Sequence, residues 1–142
     1  MTTKPPPRCK AILLCDQTIR DAATGRRSMI GIFDHLAFDQ FPTHGPTFRV
    51  YLQLTDGIGR YQISVEVHDL QEDVLIIRSV PGTIEFRDRL HKLHLFFTVP
   101  PLPLPHVGVY DVVVLADGQE IDRQIFLATI RSPNHGSQES EE

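Results

Sequence analysis

Tryptophan is absent from this chain, and cysteine and methionine occur only twice each. Without tryptophan, the side chain best suited to stacking on a sugar ring is missing. Three tyrosines and eight phenylalanines remain, most of them at core-phase positions. Cys9 and Cys15 lie six residues apart in one apparent strand, about 20 Å at a rise of roughly 3.3 Å per residue. A disulfide needs Cα atoms within about 7 Å, so an extended strand keeps the two apart. They read as reduced thiols of a cytoplasmic protein. Long apolar runs are also lacking; none approaches the roughly 18 residues that span a membrane. The first eight residues are polar and proline-rich, with no apolar run behind a charged end, so no signal peptide is expected. Nor is there an excess of positive charge. Fourteen basic residues face 18 acidic ones, a net charge of −4, which argues against a sequence-independent grip on nucleic acid.

What the chain does have is the makings of one ordinary domain. Its 142 residues are 41% hydrophobic and 23% charged, enough to bury a core without metals or disulfides. The expected division is a flexible N-terminal arm over 1–8, a β-domain over 9–131, and a disordered acidic tail over 132–142.

Alternation of apolar and polar residues is clearest over 48–67. Phe48, Val50, Leu52 and Leu54 alternate with Arg49, Tyr51 and Gln53; after Asp56-Gly57-Ile58-Gly59, Tyr61, Ile63, Val65 and Val67 alternate with Gln62, Ser64 and Glu66. The simplest reading is a hairpin with Leu54 opposite Tyr61 and Phe48 opposite Val67, one face apolar and the other polar. A second hairpin is expected at 108–130, because Asp117-Gly118 suits a type I′ turn. Two registers fit it. A two-residue loop sets Val114 opposite Ile121, whereas a bulged three-residue loop sets Asp111 opposite Arg123.

Further strands are expected at Cys9–Arg20, Ser28–Phe38, Val74–Ser79, Thr83–Arg87 and Leu93–Val99. The run Pro100-Pro101-Leu102-Pro103-Leu104-Pro105 lacks the donors that regular pairing needs. No segment holds a capped 3.6-residue period. The fold class is therefore all-β: an antiparallel β-sandwich of about eight strands, immunoglobulin-like or C2-like.

Two stretches carry a resemblance. Ala11-Ile-Leu-Leu-Cys-Asp16, followed by a Gly25 turn and Ser28-Met-Ile-Gly-Ile-Phe33, and then Gly108-Val-Tyr-Asp-Val-Val-Val-Leu-Ala-Asp-Gly-Gln-Glu-Ile121, resemble in order and spacing an uncharacterised bacterial family of small β-sandwich domains. The resemblance implies the fold and a bacterial source. It transfers no activity and no site residues.

Little in the chain suggests catalysis. There is no Gly-x-Ser-x-Gly elbow, no phosphate-binding glycine loop and no Cys-x-x-Cys or His-Glu-x-x-His spacing. Cys15 sits in an apolar run, where burial blunts a thiol; an enzyme pairing it with a distant histidine is the remotest reading. His91 and His94 are three apart, which points them to opposite faces of a strand. Asp16, Asp34, Asp39, Asp56 and Asp117 lie at strand ends or loops, where aspartate also forms turns, so a calcium-binding sandwich is an alternative and not the first choice. No cofactor is expected. Two features merit a functional assignment. The basic stretch holds Arg87, Arg89 and Lys92, with His91 and His94 beside Phe96. The proline run, if exposed, offers Leu102 and Leu104 to a partner. The leading expectation is a non-catalytic binding or assembly module with a protein partner, the same chain or another. The alternative is a sandwich that binds a small ligand, carbohydrate or calcium.

Overall fold

The computed structural model describes residues 4–132. Twelve strands occur in the order β1 (Arg8–Arg20), β2 (Arg27–Phe33), β3 (His35–Phe38), β4 (Thr43–His44), β5 (Phe48–Thr55), β6 (Gly59–Asp69), β7 (Val74–Arg78), β8 (Gly82–Phe86), β9 (Leu93–Val99), β10 (Pro103–Leu104), β11 (Gly108–Ala116) and β12 (Gln119–Ile130). The smaller sheet runs β2-β1-β5-β9. The larger runs β3-β12-β11-β6-β7, with β8 also on β6. All pairings are antiparallel except β3 with β12. The fold is an all-β sandwich.

The expected hairpin at 48–67 does not form. β5 pairs with β1 and β9, while β6 pairs with β11, β7 and β8. The two strands therefore lie in different sheets, and the chain arches from one to the other through 56–58. Alternation assigned their faces correctly: Phe48, Val50, Leu52 and Leu54 are buried, as are Tyr61, Ile63, Val65 and Val67. Those two apolar rows meet in one core instead of lying side by side. Gly57 is needed at the crossing, because a Cβ there would stand 2.2 Å from a ring carbon of the buried Phe86.

The hairpin at 108–130 forms, in neither expected register. Asp117 and Gly118 both have positive φ, 50° and 81°, and close a two-residue turn with Ala116 opposite Gln119. Ile121 is then an extra residue. Beyond it Val114 faces Asp122, Val113 faces Arg123 and Asp111 faces Ile125. The bulge moves Arg123 off the apolar side that a continuous two-residue register would have given it.

The segment expected as one strand from 28 to 38 divides at Asp34. β2 closes the smaller sheet and β3 joins the larger one. Phe33, Phe48 and Phe126 bridge the two sheets edge-on, with ring centres 5.4–6.5 Å apart. The proline run is pinned down by a two-residue ladder of β10 on β4 and by the Gly45 amide, which donates to the Leu102 carbonyl at 2.9 Å. Before β1, Pro7 is buried and the Tyr61 hydroxyl donates to the Pro5 carbonyl at 2.8 Å. The acidic tail expected over 132–142 lies, Ser132 apart, outside the described residues.

Candidate functional site on the outer face of the larger sheet

The residues singled out in the sequence do not converge. Leu102 and Leu104 are buried in the core, each 1% exposed. They cannot offer an apolar tip to a partner, because the β4–β10 ladder turns the proline run inward. Arg87, Arg89 and Lys92 are exposed on the turn between β8 and β9. Asp88 shapes that turn by accepting from the Leu90 amide at 2.8 Å. His91 packs edge-on against Phe86, whereas His94 leaves the stretch to join Tyr51 on the smaller sheet. Neither cysteine is primed. Burial pushes the Cys9 thiol up to about 11, and burial also raises that of Cys15. Among the described residues, no three His, Cys, Asp or Glu side chains group to hold a metal.

Two polar networks do stand out, and they differ in one respect. The first ties the end of β6 to the start of β11. The Tyr110 hydroxyl donates to the His106 carbonyl at 2.6 Å, four residues upstream, the geometry of a tyrosine corner. Asp69 is buried; its Oδ1 accepts the amides of Gln71 and Glu72, and its Oδ2 lies 2.6 Å from His106 Nε2. The other ring nitrogen lies 2.9 Å from the Val107 carbonyl. Both nitrogens thus face acceptors, which only the doubly protonated imidazolium satisfies. The Val107 carbonyl, followed by Asp69, accordingly raises the His106 pKa over the opposing effect of burial. Every polar atom of this network named here has a partner, so the network is a brace.

The second network lies on the outer face of the larger sheet and is incomplete. β-register sets His68 beside Asp111, and Glu66, Val113 and Arg123 in one row. Glu66 is saturated: His68 Nε2 and Arg78 Nε lie 2.8 and 2.7 Å from its two oxygens. Burial pushes Glu66 up, but these two bonds outweigh it and hold the carboxyl below its ordinary value. Arg123 grips Glu120 through two nitrogens, at 2.8 and 2.9 Å, and spends its third on Asp111 Oδ2 at 2.7 Å. Asp111 itself is 0% exposed, and its Oδ1 has no hydrogen-bond partner. Burial raises its pKa despite the nearby Arg123. An orphaned buried carboxylate oxygen costs about 1–3 kcal/mol or more.

Asp111 lines a depression of about 220 Å³ together with Glu66, His68, Leu70, Asp73 and Glu120. Around it the sheet face is apolar and open: Leu70, Leu75, Ile125 and Leu127 are each 40–46% exposed. Sequence reasoning missed this site. Its signal was present in Gly108-Val-Tyr-Asp-Val-Val-Val, where a lone carboxylate interrupts a strand apolar on both faces.

Comparison with solved structures gives distant likenesses. One is the Pseudomonas fluorescens alkylpurine DNA glycosylase AlkC bound to DNA containing an abasic site analog: 10% identity, TM-score 0.49, over 69% of this chain and 27% of that one. The chain thus spans about a quarter of the glycosylase. Another is the CARDB domain of the PF1109 protein of Pyrococcus furiosus in complex with di-metal ions: 14% identity, TM-score 0.40, over 92% of this chain and 100% of that one. No curated protein matches the chain. A family model matches residues 10–128, and the chain belongs to that family, DUF6941, a family of unknown function.

Proposed function

We propose that this domain is a non-catalytic binding module. It docks a partner protein on the outer face of the larger sheet, and a lysine or arginine of the partner enters the depression that Glu66, Asp73, Asp111 and Glu120 line. The unpartnered Oδ1 of a fully buried Asp111, set in a half-exposed apolar surface, carries this reading. The lining carboxylates Glu66, Asp73, Asp111 and Glu120 outnumber the one lining arginine, Arg123, so the depression favours a cation. Its small volume suits a side chain better than a metabolite. The apolar residues around it supply the water-excluding surround that a buried charge pair needs.

The test is affinity capture from the native host, followed by reconstitution with the purified partner. Asp111→Asn and the pair Ile125→Ser, Leu127→Ser should each weaken binding about ten-fold or more while leaving the fold intact by circular dichroism. Blocking the partner's lysines or replacing its contacting arginine should do the same. Unchanged binding by Asp111→Asn defeats the proposal, and so does a strict monomer that captures nothing across a concentration series.

A further inference from the structure

The two sheets carry opposite charge. The strands of the smaller sheet bear Arg8, Lys10, Arg20, Arg27 and Arg49 against the single acid Asp16. Those of the larger sheet bear Arg60, Arg78 and Arg123 against Glu66, Asp69, Glu85, Asp111, Glu120 and Asp122. The pairing differs as well. Each arginine of the larger sheet meets a carboxylate within 4 Å. Among the described residues, none of the smaller sheet's arginines is in a salt bridge, nor is Arg26 beside them. The acid at the hairpin tip, Asp21, is engaged by the Ala23 and Thr24 amides.

Two of these cations, Arg26 and Arg27, flank an aromatic platform. Tyr51 and Phe96 sit opposite each other on β5 and β9, with ring centres 5.2 Å apart. His94 stacks on Tyr51 at 5.8 Å with planes 11° apart, and its Nδ1 hydrogen-bonds the Tyr51 hydroxyl at 2.7 Å. That bond fixes the tilt of both rings. The Arg27 guanidinium lies over Phe96 at 4.7 Å. Arg26, Arg27, Met29 and the three rings line a depression of about 500 Å³, within the range of small-ligand sites. Arg49 projects from the same face of β5 two residues away.

We infer that this platform binds single-stranded nucleic acid, with a base on the Tyr51–His94–Phe96 rings and its phosphates on Arg26, Arg27 and Arg49. Flat π-faces interleaved with unpaired arginines match the two demands of a single strand, stacking and charge neutralisation. The net charge of −4 does not oppose this, because the strands of the smaller sheet themselves carry five cations against one acid. A duplex buries its bases in stacks and cannot use the rings.

Fluorescence anisotropy of a labelled oligothymidylate of about a dozen nucleotides tests the inference, at about 50 mM salt with the full chain. Phe96→Ala should weaken binding about ten-fold, and Arg26→Glu with Arg27→Glu should abolish it. Arg60→Glu, on the larger sheet, should change it less than about two-fold. A duplex of equal length should bind more weakly. The arginine variants alter exposed side chains, and matching thermal melts confirm that they fold. No binding of the single strand overturns the inference, as does an equal loss in Arg60→Glu, which would reflect overall charge. Displacement by equimolar thymidine mononucleotide overturns it too, since the depression would then hold one nucleotide and not a strand.

Discussion

Replacing Asp111 by valine should stabilise this protein. Asp111 is wholly buried on a strand whose outward neighbours are Val109 and Val113, and its Oδ1 is unpartnered. Removing that oxygen relieves about 1–3 kcal/mol of unmet desolvation. The apolar atoms that replace it add roughly 0.8 kcal/mol per buried carbon. Against this stands the lost bond to Arg123. Arg123 is 47% exposed and keeps both bonds to Glu120, so no buried cation is stranded and the loss is about 0.5–1 kcal/mol. The net is a gain of about 1–3 kcal/mol, or a rise in Tm of roughly 3–10 °C for a domain of this size. The pH dependence adds a second readout. Because the folded pKa of Asp111 is raised, wild-type stability is full below the unfolded value near 4 and falls as pH climbs through the folded one. The variant has no such fall, so the gap between the two should widen with pH over that window and then level off. Urea denaturation across a pH series measures both effects. A variant less stable than wild type at neutral pH would refute the reasoning and make Asp111–Arg123 a structural tie instead of a site held at a cost in stability.

Three further outcomes are expected. Tyr110→Phe removes the hydroxyl donated to the His106 carbonyl and should cost about 1–2 kcal/mol in urea denaturation, with no change in ring packing. Gly57→Ala places a methyl 2.2 Å from the buried Phe86 ring and should cost about 1–3 kcal/mol, seen as an earlier thermal midpoint. His106 has a raised pKa, so its contribution is full below the unfolded value near 6.5 and is lost as pH rises through the folded one; His106→Gln should flatten that decline, and NMR titration of the imidazole should show the raised midpoint directly.

Local pattern made much of the fold legible, and topology decided what the pattern could not. The inward faces of β5 and β6 follow from period-two alternation, which is a property of each strand alone. Whether two such strands pair edge to edge or stack face to face depends on where the chain crosses, and the apolar rows point inward in both arrangements. Hence the faces were right and the hairpin was not. The Asp117-Gly118 turn was readable because only its φ angles matter, whereas the bulge at Ile121 belongs to the pairing of β12 with β11. Leu102 and Leu104 look exposed in a proline run, yet Gly45 and β4, more than fifty residues away in sequence, fold them into the core.

The candidate sites show the same division. Sequence alone determined an all-β domain, the inward rows of its strands, a net charge of −4 and the absence of any recognised catalytic spacing. Only the tertiary structure decided that Asp111 loses its solvent without gaining a second partner. Only it gave one sheet an excess of cations and the other an excess of carboxylates, and set His94 and Phe96 beside Tyr51 and Arg27. The physical reason is that composition sums charge over the chain and alternation acts over a few residues. A stranded oxygen, an unpaired arginine and an aromatic platform are properties of neighbours that only strand pairing brings together.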